Sequence, residues 1–257
     1  MDYYIVDAFT DKLFGGNPAC ICILEKIFPD EVMQNIASEN NLSETAFICK
    51  NGTNYKLRWF TPSFEIDLCG HATLAAAFVV FNHIGCNLDK VDFETVSGTI
   101  SVIRKGDLYE MAFPKRIAQK IIPQPEIIEL LSFEPLELYS GRDLYVIMSS
   151  EEEVKNYIPD YMKLKKLNSW LGIVITAKGN HTDFVSRYFC PELMVEDSVT
   201  GSSHSTLVPI WRNKLGKDKL LAKQLSRRGG ILYCECCNDK IKISGNAVIY
   251  SKGSILL

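Results

Sequence analysis

The chain is poor in the features that mark membrane proteins and nucleic-acid-binding proteins. None of its 257 residues lies in an apolar run near the ~20 residues of a membrane-spanning helix. Residues 1–4 lack the charged start and apolar core of a signal peptide. The formal net charge is −3, and Lys163, Lys165 and Lys166 form only a short cluster, typical of a solvated surface. We therefore expect a cytoplasmic protein that binds neither membranes nor nucleic acid.

Histidine is scarce, and the cysteines do not suggest a metal centre. The chain has four histidines and nine cysteines. An odd number of cysteines without a secretory signal favours reduced thiols. Cys234 and Cys236 alternate in a strand-like run with no histidine nearby, which indicates a buried sheet face rather than a zinc site. We expect no bound metal.

What the chain does contain is an internal repeat. Hydrophobic residues make up 47% and charged residues 23% of it, as in ordinary globular proteins. Residues 58–62, Arg-Trp-Phe-Thr-Pro, recur as Arg-Tyr-Phe-Cys-Pro at 187–191. Each copy runs into an acid, a glycine and a small-residue segment, and turns elsewhere in the two halves match at similar separations. The sequence therefore predicts a duplicated unit.

The repeat predicts an α+β fold with two pseudo-symmetric domains, residues 1–117 and 118–257. In each domain we expect a barrel-like, mostly antiparallel sheet around one central helix. The apolar segment 72–81 predicts the first of these helices, because a helix surrounded by sheet is apolar on all sides. Segment 205–211 predicts the second. The proline-containing segment 117–135 is interpreted as an irregular linker.

Pseudo-two-fold packing would bring the amino ends of both central helices to an interdomain cleft. Each helix terminus carries about half a positive charge and unsatisfied N–H groups. Clefts between domains commonly bind small molecules. We therefore expect a small, carboxylate-bearing substrate at this cleft.

The turns before the two helices carry the side chains that could do chemistry. They are Cys69, His71, Asp197 and Ser202. Taken singly, an aspartate or histidine at a helix start is often only a capping or surface residue. The shift between the halves pairs Cys69 with Thr200 and His71 with Ser202. Because no second thiol faces Cys69, racemisation by two thiols is disfavoured.

Glu44 is a further candidate, in the polar break 41–44 that enters a strand. It either caps a turn or serves as a general base, which works best when burial raises the carboxyl pKa toward neutrality. The corresponding part of the second half, 169–172, has no acid. A single carboxylate on one side favours removal and return of a proton by one group.

Several motifs in order resemble the PhzF-like family of phenazine biosynthesis, whose fold is similar to that of diaminopimelate epimerase. The residues that carry the resemblance are Asn17-Pro18-Ala19, the segments 41–47 and 67–75, Glu196 to Ser202, and Arg228-Gly229-Gly230. It spans nearly the whole chain. The chain departs from the family's pattern at Ser198, which replaces a proline, and at Ser203, which replaces an alanine. His204 is kept.

The resemblance implies a cofactor-independent isomerase, usually a homodimer. In the phenazine enzyme, the glutamate that matches Glu44 shuttles a proton within a dihydro-hydroxyanthranilate. The catalytic assignment is therefore Glu44, His71, Asp197 and Ser202. Substrate contacts are assigned to Asn17, Gly70, Ala72, Gly201 and Ser203.

Two other functions stay open at this point. One is an epimerase or racemase that uses Cys69 as one of its acid/base groups. The other is a small-molecule binding protein that has kept the site but lost turnover.

Overall fold

Strands dominate the chain, because its apolar runs alternate or are short and rich in β-branched and aromatic residues. A computed structural model describes residues 1–257. The elements up to residue 114 are β1 (Asp2–Ala8), β2 (Asn17–Leu24), α1 (Asp30–Asn40), β3 (Glu44–Asn51), β4 (Asn54–Phe60), β5 (Glu65–Ile66), α2 (Gly70–Val79), β6 (Lys90–Thr95), β7 (Gly98–Lys105) and β8 (Leu108–Pro114). A π-helical turn, Val80–Ile84, extends α2.

The remaining elements repeat much of this order. They are β9 (Gln119–Ile121), α3 (Pro125–Leu131), β10 (Glu137–Ser140), β11 (Leu144–Ile147), α4 (Glu151–Asn156), α5 (Tyr161–Leu164), β12 (Ile173–Lys178), β13 (Phe184–Cys190), β14 (Val195–Asp197), α6 (Gly201–Leu215), β15 (Lys219–Gln224), β16 (Gly230–Cys236), β17 (Lys240–Gly245) and β18 (Ala247–Ser254). None of the helices is long and apolar enough to cross a membrane.

The chain divides into two compact units. Residues 1–112 and 243–257 form the first unit, and residues 113–242 form the second. This division differs from the expected boundary at 117/118, because the last strand does not stay with the second half. Instead, β18 pairs antiparallel with β1, from Asp2 opposite Ser254 to Ala8 opposite Ala247.

In the first unit, a mixed sheet packs around α2. β1 is antiparallel to β2, β2 is parallel to β3, and β3 is antiparallel to β4. β4 is then parallel to β6, which pairs antiparallel with β7. Nine of the ten residues of α2 are buried, as the apolar sequence 72–81 predicts for a central helix.

The second unit repeats this pattern of strand directions. β11 is parallel to β12, β12 is antiparallel to β13, β13 is parallel to β15, and β15 is antiparallel to β16. Its central helix is α6, which has ten buried residues. The α+β fold predicted from the repeat is therefore confirmed.

The arginine of the repeated motif makes the same two kinds of contact in both units, to a glutamate and to an aromatic ring. Arg58 in β4 bonds Glu65 and lies 5.1 Å from the ring centroid of Phe60. In β13, Arg187 bonds Glu196 and lies 5.0 Å from the ring of Phe189. A guanidinium suits this position because it can bond a carboxylate bidentately and stack on an aromatic face.

Two local expectations were wrong. The segment 117–135 is not an irregular linker, since β9 pairs with β10 and α3 begins at Pro125. Proline at the first helical position starts a helix instead of breaking one, because its missing N–H would be unpaired there anyway.

Helix α6 is also longer than the predicted 205–211, although Pro209 lies inside it. Proline cannot donate to the carbonyl four residues earlier. That carbonyl, of Ser205, instead accepts a hydrogen bond from the backbone N–H of Arg116 at 3.1 Å. The helix therefore continues through Pro209 without leaving this acceptor unpaired.

Candidate active site

Glu44 and His71 are in direct contact in the first unit. Glu44 is the first residue of β3, opposite Ala19 of the parallel strand β2. His71 is the second residue of α2. The Oε2 atom of Glu44 lies 2.9 Å from Nε2 of His71, and the two side chains are only 15% and 7% exposed. The pair joins a strand to a helix, 27 positions apart in the sequence.

Three polar neighbours surround the imidazole of His71. Nδ1 lies 3.3 Å from the amide nitrogen of Asn17 and 3.5 Å from Sγ of Cys69. Nε2 lies 3.5 Å from the hydroxyl of Ser43. The ring is therefore contacted at both nitrogens, which fixes its orientation toward Glu44.

Burial and charge act in opposite directions on this pair. Burial raises the pKa of Glu44, but the neighbouring imidazole lowers it by more than burial raises it. The pKa therefore lies below the ordinary value. For His71, burial lowers the pKa, whereas Cys69 and Glu44 raise it, and the pKa lies well above the ordinary value. The imidazole of His71 therefore prevents the rise of the Glu44 pKa toward neutrality that burial alone would favour. Glu44 is a carboxylate at neutral pH because its ion pair outweighs its desolvation.

Cys69 is buried at the N-cap of α2. Burial and the carboxylate of Glu44 raise the pKa of its thiol. Since the thiolate is the form that accepts protons, a protonated Cys69 is a poor base at neutral pH.

Glu44, Cys69 and His71 are also the group whose donor atoms could hold a metal ion, because these atoms lie within 4.8 Å of one another. A thiolate, an imidazole and a carboxylate are suitable ligands for zinc. In the observed arrangement, however, Cys69 and Glu44 contact different nitrogens of the ring. An ion bound at one nitrogen would disrupt the contact made there, and the arrangement fits an ion pair better.

In the second unit, Asp197 and Thr200 precede α6. Thr200 is the N-cap residue, and its hydroxyl donates to Oδ2 of Asp197 at 2.5 Å. Gln224 accepts from the backbone N–H of Thr200 at 2.9 Å and donates to the backbone oxygen of Asp197 at 2.8 Å. These bonds fix the turn in which the family's proline is replaced by Ser198.

The first turn of α6 holds the other predicted residues, Gly201, Ser202 and Ser203. Ser203 is buried, and its hydroxyl donates to the backbone oxygen of Thr200 at 2.9 Å. His204 is fully buried, with Nδ1 2.8 Å from that same oxygen. Burial lowers the pKa of His204 to about 4, so its ring is neutral.

Residue-by-residue correspondence between the helices follows the shift derived from the repeat. Cys69 and Thr200 are the N-cap residues of α2 and α6. His71 and Ser202 are the second residues of these helices. The first unit thus brings together Asn17, Glu44 and His71 with the helix residues Gly70 and Ala72. The second unit brings together Asp197 with the first turn of α6.

Sequence reasoning missed the pair Arg142 and Asp143. Asp143 is fully buried and accepts from Arg142 at 2.9 Å and from the hydroxyls of Tyr145 and Tyr188, each at 3.1 Å. Arg142 also bonds the hydroxyl of Ser202 at 3.2 Å. The available signal was the turn 139–143, which matches the turn 14–18 and places Arg142 at the position of Asn17.

Comparison with known proteins identifies the family. The family model for phenazine biosynthesis-like proteins, PhzC-PhzF, matches residues 6–253. The chain belongs to the PhzC-PhzF family. A Pseudomonas aeruginosa relative named an uncharacterized isomerase is 41% identical, over 100% of this chain and 99% of its own length. That name agrees with the isomerase class predicted from the sequence.

Solved structures agree with this assignment. A Clostridium difficile structure assigned to the phenazine biosynthesis PhzC/PhzF proteins is 56% identical, with a TM-score of 0.97 over 100% of both chains. A hydroxyproline epimerase from Agrobacterium vitis is 11% identical, with a TM-score of 0.66 over 98% of this chain and 91% of that one. The second likeness concerns the fold alone. This chain thus shares its fold with that epimerase.

Proposed function

We propose that this PhzC-PhzF protein is a cofactor-independent isomerase that moves a proton within a small, carboxylate-bearing metabolite, with Glu44 as its single base. The observation that carries the proposal is the buried 2.9 Å contact between Glu44 and His71. A carboxylate held in this way has both the charge of a base and a fixed position.

The proposed reaction begins with Glu44 taking a proton from a substrate carbon that is acidified by conjugation with a carboxylate, enamine or carbonyl. The electrons of the broken C–H bond enter the conjugated system. The protonated Glu44, whose carboxyl proton exchanges with solvent, then delivers a proton to another carbon. Because one proton leaves and one returns, the step balances without an oxidant or reductant.

His71 supports both stages of this reaction. Its positive charge favours the carboxylate form of Glu44, both before proton removal and when the proton is delivered, and the 2.9 Å ion pair holds the two side chains together. A positioned base of this type contributes about 10²–10⁴-fold in rate.

The remaining assignments are proposals of the same kind. Asn17, Gly70 and Ala72 are proposed to contact substrate in the first unit, as are Gly201 and Ser203 in the second, with Asp197 and Ser202 assisting catalysis. Ser203 contributes through its backbone, because its hydroxyl is already bonded to Thr200. We also propose that the protein acts as a cytoplasmic homodimer.

An epimerase that uses Cys69 is the main alternative within enzymes. The raised pKa of Cys69 argues against it, as does threonine at the matching N-cap position of α6. A matched pair of thiols would need a cysteine at position 200.

The deciding experiment follows solvent deuterium into candidate substrates, using NMR and a panel of small unsaturated carboxylic acids. We expect exchange with the wild-type protein and a loss of about 10²–10⁴-fold in Glu44→Gln. The control is Glu39→Gln, an exposed acid near the end of α1, which should exchange normally.

The same assay separates the alternatives. Normal exchange by a folded Glu44→Gln protein would rule out Glu44 as the base. Loss of exchange in Cys69→Ser with retention in Glu44→Gln would favour the thiol epimerase. Binding without exchange in the wild-type protein would favour a binding protein.

A further inference from the structure

Asp143 is a buried carboxylate that gathers donors in the second unit. No part of its side chain is exposed. Besides Arg142, it accepts hydrogen bonds from the hydroxyls of Tyr145 and Tyr188. Burial and the charge of Asp143 raise the pKa of both phenols, so they remain protonated donors. Asp143 therefore holds a fixed negative charge behind Arg142.

One edge of the Arg142 guanidinium is hydrogen-bonded within the protein, and the other edge is not. Its Nε and Nη2 atoms bond Asp143 at 3.2 and 2.9 Å, and Nη2 also contacts Oγ of Ser202. Its Nη1 atom has no hydrogen-bond partner in the protein, and 32% of the side chain is exposed. Since a guanidinium has five donors in a rigid fork, the unused edge of this fork is oriented and available.

The first unit contains a contact that corresponds to the one between Arg142 and Ser202, but it is made by different side chains. There the amide of Asn17 lies 3.3 Å from His71, the second residue of α2. Arg142 makes the equivalent contact to Ser202, the second residue of α6. Both contacting residues stand in corresponding turns, just before or at the start of β2 and β11. The duplication thus places a neutral amide in one unit and a cation in the other.

We propose that Arg142 is a substrate-binding residue that holds a carboxylate of the substrate and selects for negative charge. The inference rests on the proposed function only in taking that substrate to be a small carboxylate. Asp143, Tyr145 and Tyr188 act as positioning residues that keep the fork turned toward Ser202. The guanidinium of Arg142 is the main group that binds the substrate carboxylate. The backbone N–H groups at the amino end of α6 are additional donors.

The test uses two probes of nearly the same shape, cyclohex-1-ene-1-carboxylate and its carboxamide. Their dissociation constants are measured by isothermal titration calorimetry with the full chain. A charge-assisted hydrogen bond to a carboxylate contributes about 1.5–3 kcal/mol, which corresponds to about 10- to 100-fold in affinity. We expect the wild-type protein to prefer the carboxylate by this factor and Arg142→Gln to lose the preference. Arg142→Lys should show an intermediate preference, because the ammonium keeps the charge without the fork.

The matched control is Arg212→Gln. Arg212 lies in the last turn of α6 and bonds the exposed Asp218, so its loss should leave the preference unchanged. Circular dichroism checks that each variant is folded. A folded Arg142→Gln protein that keeps the preference would overturn the proposal, and so would a wild-type protein that binds both probes equally.

One further variant keeps this result separate from the proposed function. Glu44→Gln should lose deuterium exchange but keep the preference for carboxylate. If Glu44→Gln exchanges normally while Arg142→Gln loses the preference, the assignment of the base fails and the role of Arg142 stands.

Discussion

In the first unit, the second residue of the central helix is a histidine paired with a buried carboxylate. In the second unit, the same position is Ser202, bonded to an arginine. The first residue of the strand that runs parallel to β2 is Glu44, whereas β12 begins with the buried, apolar Ile173. Duplication has therefore preserved the backbone frame and let the side chains diverge. A titratable ion pair belongs to one unit, and a permanent cation belongs to the other.

After Glu44→Gln, the largest loss of deuterium exchange is expected from a substitution of His71, the ion-pair partner of Glu44. In His71→Asn, burial of Glu44 is no longer opposed by a neighbouring cation, so the pKa of Glu44 should rise. We expect deuterium exchange at neutral pH to fall by about 10²-fold, with the acidic limb of the pH profile moved to higher pH. The matched change in the second unit, Ser202→Ala, should weaken substrate binding and leave the limb in place. An unmoved limb in His71→Asn would contradict the ion pair.

The ion pair should also give the first unit a pH-dependent stability. The lowered pKa of Glu44 stabilises the fold above about pH 4.3, and this contribution is lost as the pH falls through the folded value. The raised pKa of His71 stabilises it below about pH 6.5, and this contribution is lost as the pH rises through the folded value. We expect the contribution of the pair to be largest between these limits.

Urea unfolding from about pH 4 to pH 9 measures this contribution, as the difference in unfolding free energy between wild type and His71→Asn. The difference should be greatest in the middle of the range. A difference that is constant with pH would show that His71 stabilises the unit only by packing.

The two N-cap positions predict a modest chemical difference. Cys69 is buried with a raised pKa, and its counterpart Thr200 has no thiol. At neutral pH, iodoacetamide should label the exposed Cys86 well before Cys69, because alkylation requires an accessible thiolate. Peptide mass spectrometry over time gives the order. Faster labelling of Cys69 would revive the thiol mechanism.

The smallest effect concerns the two central helices themselves. Only α6 contains a proline, and the carbonyl that Pro209 leaves without a helical partner already accepts from Arg116. Pro209→Ala should therefore change the unfolding free energy by less than about 1 kcal/mol, well below the ~3 kcal/mol typical of proline inside a helix. Urea unfolding checks this value. A gain near 3 kcal/mol would mean that Pro209 strains α6.

Many of the strands and the helix α2 could be predicted because they depend on the pattern of apolar residues along the sequence. Alternating apolar residues predict the strands, and an all-apolar segment predicts α2. The repeat then predicts which helix positions correspond, such as Cys69 with Thr200. Segment 117–135 was predicted incorrectly because proline is compatible with both a turn and the first position of a helix.

The sequence by itself determined the family, the duplicated α+β architecture and the candidate role of Glu44. It also determined that the position matching Cys69 holds threonine and no second thiol. Only the tertiary structure decided that His71 pairs with Glu44 and lowers its pKa, that β18 belongs with the first unit, and that Asp143 anchors Arg142. The physical reason is that local pattern depends on neighbours along the chain. A pKa, by contrast, depends on burial and on charges brought close by strand pairing, and the separations involved here range from adjacent residues to opposite ends of the chain.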